Sequence, residues 1–156
     1  MAILPETKRK VGTTLYSCQG YIDGDKAVSE IWEWEIVSVK RPRRTKSEIE
    51  ANISFPLMLT AHAKRSNTYK KGKWSKAVLI EHAEIYTKTW VISAELPIGL
   101  STTPLRAIQE EILLTKDMIK DLEADDDSEI AEIEDEKRII AALKNRVKRK
   151  NYKISY

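Results

Sequence analysis

Two amphipathic segments joined by a very short connection constrain the fold of this chain more than any other feature. From Thr103 to about Glu123, apolar residues recur at steps of three and four, which is the spacing of a helix with one continuous apolar seam. A second seam, with one polar position, runs from about Ser128 to Arg149. Only five residues, Ala124 to Ser128, separate the two, so we predict an antiparallel helical hairpin of coiled-coil type. The seam residues are Leu105, Ile108, Ile112, Thr115, Ile119 and Leu122 in the first helix, and Ile130, Ile133, Lys137, Ile140, Leu143 and Val147 in the second.

The start of the first helix has its own signal. Thr103 is predicted to be the N-cap and Pro104 the first helical residue, where the missing N–H of proline removes no hydrogen bond. Residues 103–150 are therefore predicted to be one unit, which packs on or projects from the preceding domain at residues 11–100. Residues 151–156 are a tail.

Residues 11–100 lack helical spacing and are rich in β-forming residues, so they predict an antiparallel β-meander of about four strands. Together with the hairpin, the predicted fold class is α+β. Residues 1–10 are predicted to be a flexible basic arm. The four extended segments are 11–22, 27–40, 49–63 with a break at Pro56, and 74–95, where 75–83 could instead be a short helix; basic loops at 41–46 and 64–73 connect them.

Several function classes lack a signal in this sequence. His62 and His82 stand twenty residues apart without the neighbouring ligands that metal or hydrolytic sites use, and the five glycines form no phosphate-binding loop. We therefore expect no enzyme, no catalytic residue, no metal site and no cofactor. Cys18 is the only cysteine, and no apolar run is long enough to span a bilayer, so we expect a cytoplasmic protein without a membrane partner.

The net charge of +3 conceals strong segregation. Residues 117–136 hold eleven acidic residues and a single base, Lys120, whereas residues 137–153 hold eight bases and no acid. Such asymmetry bears on partners rather than on fold. If the strands form a meander and the hairpin returns on itself, we expect the basic run after Arg146 to reach the end of the sheet that holds residues 8–10 and the 41–46 loop.

Basic loops with interleaved aromatic residues suit nucleic acid, because lysine and arginine neutralise phosphates while aromatic rings stack on unpaired bases. We therefore predict a nucleic-acid-binding or regulatory accessory protein, with single strands favoured and DNA or RNA left open. The alternative interpretation of the same charges is that lysines keep the loops solvated. The candidate contact residues are Arg41, Arg43, Arg44, Lys46, Lys64, Arg65, Tyr69, Lys70, Lys71, Lys73, Trp74, Arg146, Lys148, Arg149 and Lys150.

The hairpin supports a second hypothesis, a protein-interaction module or inhibitor of the kind found among phage and plasmid accessory proteins. Its acidic tip would bind a host protein complex, and its seam could also form a homodimer. The tip lacks the ligand spacing of a calcium loop, so we interpret it as a solvated turn, with cation binding left open. The candidate partner-binding residues are Asp121, Asp125, Asp126, Asp127 and Glu129.

Two resemblances of layout accompany these hypotheses. A four-stranded meander followed by helices resembles, over residues 11–120, the whirly-type single-strand binders and their transcriptional-coactivator relatives. The acidic-tipped hairpin resembles the arms with which some transcription factors probe the channel of RNA polymerase. Both resemblances rest on topology and not on a sequence motif.

Overall fold

A computed structural model describes residues 4–40, 45–51, 58–70, 73–76, 78–80, 86–91, 96, 99–125 and 129–150. Within them, a sheet is followed by two long helices, as predicted for the α+β class. The predicted strand break at Pro56 and the tail at 151–156 lie outside the described residues. The elements are β1 (Thr14–Asp23), β2 (Lys26–Lys40), α1 (Lys46–Glu50), β3 (Met58–Lys70), β4 (Lys73–Trp74), β5 (Val78–Leu79), β6 (Thr87–Val91), α2 (Pro104–Ala124) and α3 (Ile130–Lys148).

The sheet is an antiparallel meander, which confirms the prediction. β1 pairs with β2 through the tight turn at Gly24, whose φ of 65° lies in the left-handed region that glycine tolerates. β2 pairs with β3, and β4, β5 and β6 each pair with the other edge of β3. These three short strands together occupy the place of the fourth predicted strand. The described part of the alternative helix at 75–83 is extended, because Val78 and Leu79 pair with Ser66 and Arg65.

Two local predictions are wrong. The basic segment that begins at Lys64 is not a loop, because β3 continues to Lys70. Its polar residues are accommodated by the neighbouring strands: Lys64 forms an ion pair of 3.0 Å with Glu35, and the side-chain amide of Asn67 donates to the carbonyl of Ser75. The other error is at the start of the alternating segment, where Lys46–Glu50 is a short helix and not a strand.

The helical hairpin is present, with α2 and α3 close to their predicted bounds. Thr103 is the N-cap of α2, as predicted, and its side-chain oxygen accepts from the backbone N–H of Arg106. The seam is buried at its centre, over Ile108, Ile112, Thr115 and Ile119 in α2 and over Ile140 and Leu143 in α3. Near the tip it is open, since Ile130 is 79% exposed.

The hairpin packs on the sheet, and α3 crosses the strands. Gly20, Ser29 and Tyr69 lie in one row across β1, β2 and β3. Ile139 of α3 contacts Gly20 at one end of this row, and Arg146 contacts Tyr69 at the other. The missing side chain of Gly20 makes the approach possible, because a Cβ there would overlap with Cγ2 of Ile139. The direction of α3 over the sheet is therefore set by Gly20 and Tyr69.

Two apolar clusters cover opposite faces of the sheet, because side chains of β1 and β2 alternate between them. One cluster includes Leu15 and Ile36 of the sheet and is closed by Leu96 and Leu100. The other includes Cys18 and Ile31 and is closed by α2 and α3. Leu4 belongs to the first cluster, so the described part of the predicted basic arm is anchored: Leu4 is buried, and its carbonyl accepts from Nε of Arg9.

Candidate nucleic-acid interface

The contact between Arg146 and Tyr69 joins the end of α3 to the end of β3. The guanidinium carbon of Arg146 lies 3.4 Å from the ring centroid of Tyr69, a cation–π stack. Both side chains are buried, with exposed fractions of 8% and 6%. Burial lowers the pKa of Arg146, because desolvation disfavours the charged form. The stack fixes where the last turn of α3 lies.

That position corrects the predicted arrangement of positive charge. We expected the basic run after Arg146 to join residues 8–10, at the end of the sheet where β1 begins. It instead reaches the opposite end, because Tyr69 is the last residue but one of β3 and pairs with Trp74 after the hairpin. The error arose because a hairpin of helices was assumed to run parallel to the strands, whereas α3 crosses them.

Four exposed basic residues meet at this end, and we call them the basic end: Lys73, Lys148, Arg149 and Lys150. Lys73 is adjacent to Trp74, the strand partner of Tyr69. Lys148 lies about 3 Å beyond Arg146 along the helix axis, by the rise per residue. Lys150 has a φ of 56°, so the chain leaves the helix there in a left-handed turn. Segments 75 residues apart in sequence thus place their charges together.

The aromatic residues predicted to stack on bases at this end are already engaged. Tyr69 contacts Arg146 on one side and the ring of Trp74 on another, with centroids 5.1 Å apart in an edge-to-face arrangement. Trp74 also packs against the cluster beneath the helices. These rings lie in the interface between α3 and the sheet and position the basic end; Tyr69 is buried there, and Trp74 is partly buried.

The remaining predicted contacts are dispersed. Lys64 is paired with Glu35, and Arg65 lies 4.0 Å from Glu33, so both charges are partly neutralised. Lys46 is exposed on α1, on the connection between β2 and β3 and therefore away from the basic end. Lys70 ends β3 beside Lys73. Arg41, Arg43, Arg44 and Lys71 lie outside the described residues.

The predicted acidic partner-binding residues are solvent-facing where they are described. Asp121, Asp125 and Glu129 are exposed around the hairpin connection, whereas Asp126 and Asp127 lie outside the described residues. A salt bridge of 3.7 Å between Lys137 and Glu123 ties the two helices together just below the tip. In the described part of the chain, no three histidine, cysteine or acidic side chains are grouped closely enough to hold a metal ion.

A second aromatic group was missed by the sequence analysis. Trp32 contacts Trp34, with centroids 6.1 Å apart, and Tyr86, with centroids 5.1 Å apart. Lys88 lies 5.5 Å from the ring centroid of Trp34. The signal available in the sequence was the Trp-Glu-Trp alternation at 32–34, which places both tryptophans on the same face of a strand.

Trp32, Trp34 and Lys88 line an open cleft of about 390 Å³ between the outer edge of β1 and α2. Its wall on the helix side carries Glu111, whose carboxylate accepts from the backbone N–H of Gly20 at 3.4 Å. Burial raises the pKa of Glu111, and it also raises the pKa of the Cys18 thiol nearby. Across the cleft, burial lowers the pKa of Lys88. The cleft is therefore a partly desolvated site with groups of both charges.

No family model, no curated protein and no solved structure matches this chain. The two resemblances of layout consequently have no support beyond topology. Within the described residues, no helix has both the length and the apolar character needed to cross a membrane.

Proposed function

We propose that this protein is a non-enzymatic nucleic-acid-binding protein whose primary contact with phosphates is the basic end. The observation that carries the proposal is the stack of Arg146 on Tyr69, which holds the basic turn of α3 beside the β3–β4 hairpin. Buried Arg146 is part of the support, and the exposed residues Lys73, Lys148, Arg149 and Lys150 are the ligands for phosphate. Lysine and arginine on a rigid support bind the phosphate backbone by releasing its counterions.

The charge pattern favours this interpretation over solvated loops. Apart from Glu110 and Glu111, the acidic residues of α2 and α3 lie in the halves of the helices nearer the hairpin connection, away from Lys148. An ordinary solvated surface intersperses both signs, whereas here the last turns of α3 carry bases alone. A field of one sign at one end of the molecule attracts a polyanion and orients it.

Fluorescence anisotropy with labelled single-stranded and duplex oligonucleotides tests the proposal. The test variant is Lys148→Gln/Arg149→Gln/Lys150→Gln, and the matched control is Lys40→Gln/Lys116→Gln/Lys120→Gln, which removes three exposed lysines elsewhere. We expect the native chain to bind at about 50 mM salt and to weaken steeply toward about 200 mM. The test variant should reduce the steepness of the plot of log affinity against log salt concentration by about two, because three phosphate contacts are lost. The control variant should leave this slope unchanged.

Three results would overturn the proposal. They are absence of binding at about 50 mM salt, binding that does not respond to salt, and equal losses in the test and control variants. Equal losses would mean that only the total charge matters.

A second candidate function, a protein-interaction module, is favoured by apolar exposure on α2. Leu113 and Met118 are 56% and 50% exposed, and Leu114 lies beside them, on the helix that leads to the acidic tip. Replacing Asp125, Asp126 and Asp127 by Asn should reduce capture of a host protein if the tip recognises it, with Glu132→Gln/Glu134→Gln/Asp135→Asn as the charge-matched control. Unchanged capture would remove the tip from this role.

A further inference from the structure

The cleft beside β1 contains an open stretch of strand edge. Tyr16 exchanges two backbone hydrogen bonds with Ser101, at 2.8 and 2.7 Å, so its N–H and C=O point away from β2. Four residues further, the N–H of Gly20 also points outward, to Glu111. Because the direction alternates along an antiparallel strand, the backbone N–H and C=O of Cys18 point outward between them. The cleft thus presents an adjacent backbone donor and acceptor.

Aromatic and charged side chains complete the site. Trp32 and Trp34 line the cleft, and Trp34 is held in place by donating from Nε1 to the hydroxyl of Ser17 at 2.9 Å. Lys88 stands over the Trp34 ring. The carboxyl of Glu111, already fixed by Gly20 and Thr115, faces the same space.

We propose that this cleft binds one unpaired nucleobase, an inference that rests on the nucleic-acid-binding function proposed above. The base stacks on the exposed part of Trp32, and its hydrogen-bonding edge meets the backbone of Cys18 and the carboxyl of Glu111. Lys88 contacts the phosphate attached to that nucleotide. A base in a duplex has its edge paired and its faces stacked, so the cleft selects single strands.

The composition of the cleft agrees with a base and not with a phosphate as its main occupant. Among the described residues that line the cleft, Lys88 is the one cation, and Glu111 lies opposite, so these residues hold no excess of positive charge. A planar heterocycle with donors and acceptors uses both the carboxyl group and the rings, whereas an isolated phosphate would be repelled by the carboxylate.

The cleft and the basic end are close enough for one strand of nucleic acid. Cys18 and Tyr69 are separated by two strand spacings across the sheet, about 10 Å, and by two residues along it, about 7 Å. A single strand bound at Lys73 and Lys148 can therefore place a neighbouring nucleotide in the cleft. Such spacing agrees with sites of several nucleotides in other single-strand binders.

Anisotropy with two single-stranded probes of equal length and charge tests the inference. One carries bases, and the other is an abasic sugar–phosphate chain. We expect the native protein to prefer the probe with bases, and Trp32→Leu to reduce that preference about tenfold, within the range for loss of one stacked base. Trp32→Phe keeps a ring and should retain most of the preference, while Lys88→Gln should weaken binding to the probe with bases.

The two probes separate the possible failures. Equal affinity of the native chain for both probes, or an unchanged preference in Trp32→Leu, would overturn the nucleobase site while leaving the basic end intact. Absence of salt-dependent binding to either probe would overturn the proposed function itself. Binding of the abasic probe also reports folding, because a variant that has unfolded loses affinity for both.

Discussion

Arg146 was predicted to contact nucleic acid, whereas its side chain is packed inside the protein. In the sequence it belongs to a basic run, and Tyr69 belongs to another, so both were assigned to the surface that contacts nucleic acid. In the structure they stack on each other and are buried. A cation against the face of an aromatic ring is a favourable contact in a desolvated site, and the stem of arginine covers apolar surface. The residues around this stack, and not the stack itself, remain exposed to a ligand.

Glu111 supplies a prediction at the same scale, because burial raises the pKa of its carboxyl above the usual 4.5. An acid whose pKa is raised in the folded state stabilises the fold below its unfolded pKa, and that stability is lost as pH rises through the folded pKa. Glu111→Gln should therefore unfold at higher urea concentration than the native chain at pH 8, with the difference disappearing near pH 4. The amide oxygen of glutamine can still accept from Gly20.

Glu134→Gln, at an exposed position of α3, is the control for the loss of one carboxyl group. If Glu111→Gln lowered the free energy of unfolding at pH 8, the carboxylate would be stabilising in its ionised form, contrary to this prediction.

At the scale of elements, the strands and helices were largely predictable because each has its own periodicity. The seam of α2 and its Thr103–Pro104 start signal gave the helix nearly to the residue. β3 was predicted to end at Ala63, seven residues too early, because the segment from Lys64 to Lys70 is rich in polar and basic residues. Lys64 forms its ion pair with Glu35, and Asn67 forms its hydrogen bond with Ser75. Both partners belong to other segments, so the local sequence does not show them.

The crossing of α3 over β1 yields a prediction about Gly20. Gly20→Ala should destabilise the fold by about 1–3 kcal/mol, because the added methyl group overlaps with Ile139 and forces the helix away. Urea unfolding followed by circular dichroism measures the effect. The exposed neighbour Gln19→Ala is the control and should change the free energy of unfolding little.

The double variant Gly20→Ala/Ile139→Ala tests whether overlap with Ile139 is the cause of the destabilisation. If the clash is the reason, the double variant should be less destabilised than the sum of the two single variants. Additive losses would indicate that the helix does not depend on Gly20 for its approach.

At the scale of the whole molecule, one sheet supports two apolar clusters on opposite faces. β1 and β2 contribute to both, through Leu15 and Ile36 on one face and Cys18 and Ile31 on the other. The clusters cannot form separately, since losing either exposes the same two strands. The helical hairpin and the sheet are therefore one cooperative unit.

This arrangement predicts a single unfolding transition. Leu59→Ala and Leu143→Ala each remove a fully buried side chain from a different cluster and should each lower the free energy of unfolding by about 2–5 kcal/mol. Unfolding is followed by tryptophan fluorescence, which reports Trp34 and Trp90 in the first cluster, and by the helical circular dichroism signal. Each variant should shift the unfolding midpoint by the same amount in both signals. Leu79→Ala, at an exposed position on β5, is the control. A shift confined to one probe would mean that the two faces unfold independently.

The sequence by itself determined the elements and their order, because helical and strand periodicity, capping and turn chemistry are local properties of the chain. It also determined that acids and bases are segregated along the last third. Tertiary structure alone decided which end of the sheet the basic turn of α3 reaches, because that depends on Gly20 admitting Ile139 and Tyr69 receiving Arg146 from 75 or more residues away. It also decided that Trp34 is buried while Trp32 and Trp74 are only partly buried, since burial is a property of the neighbours that a residue acquires on folding.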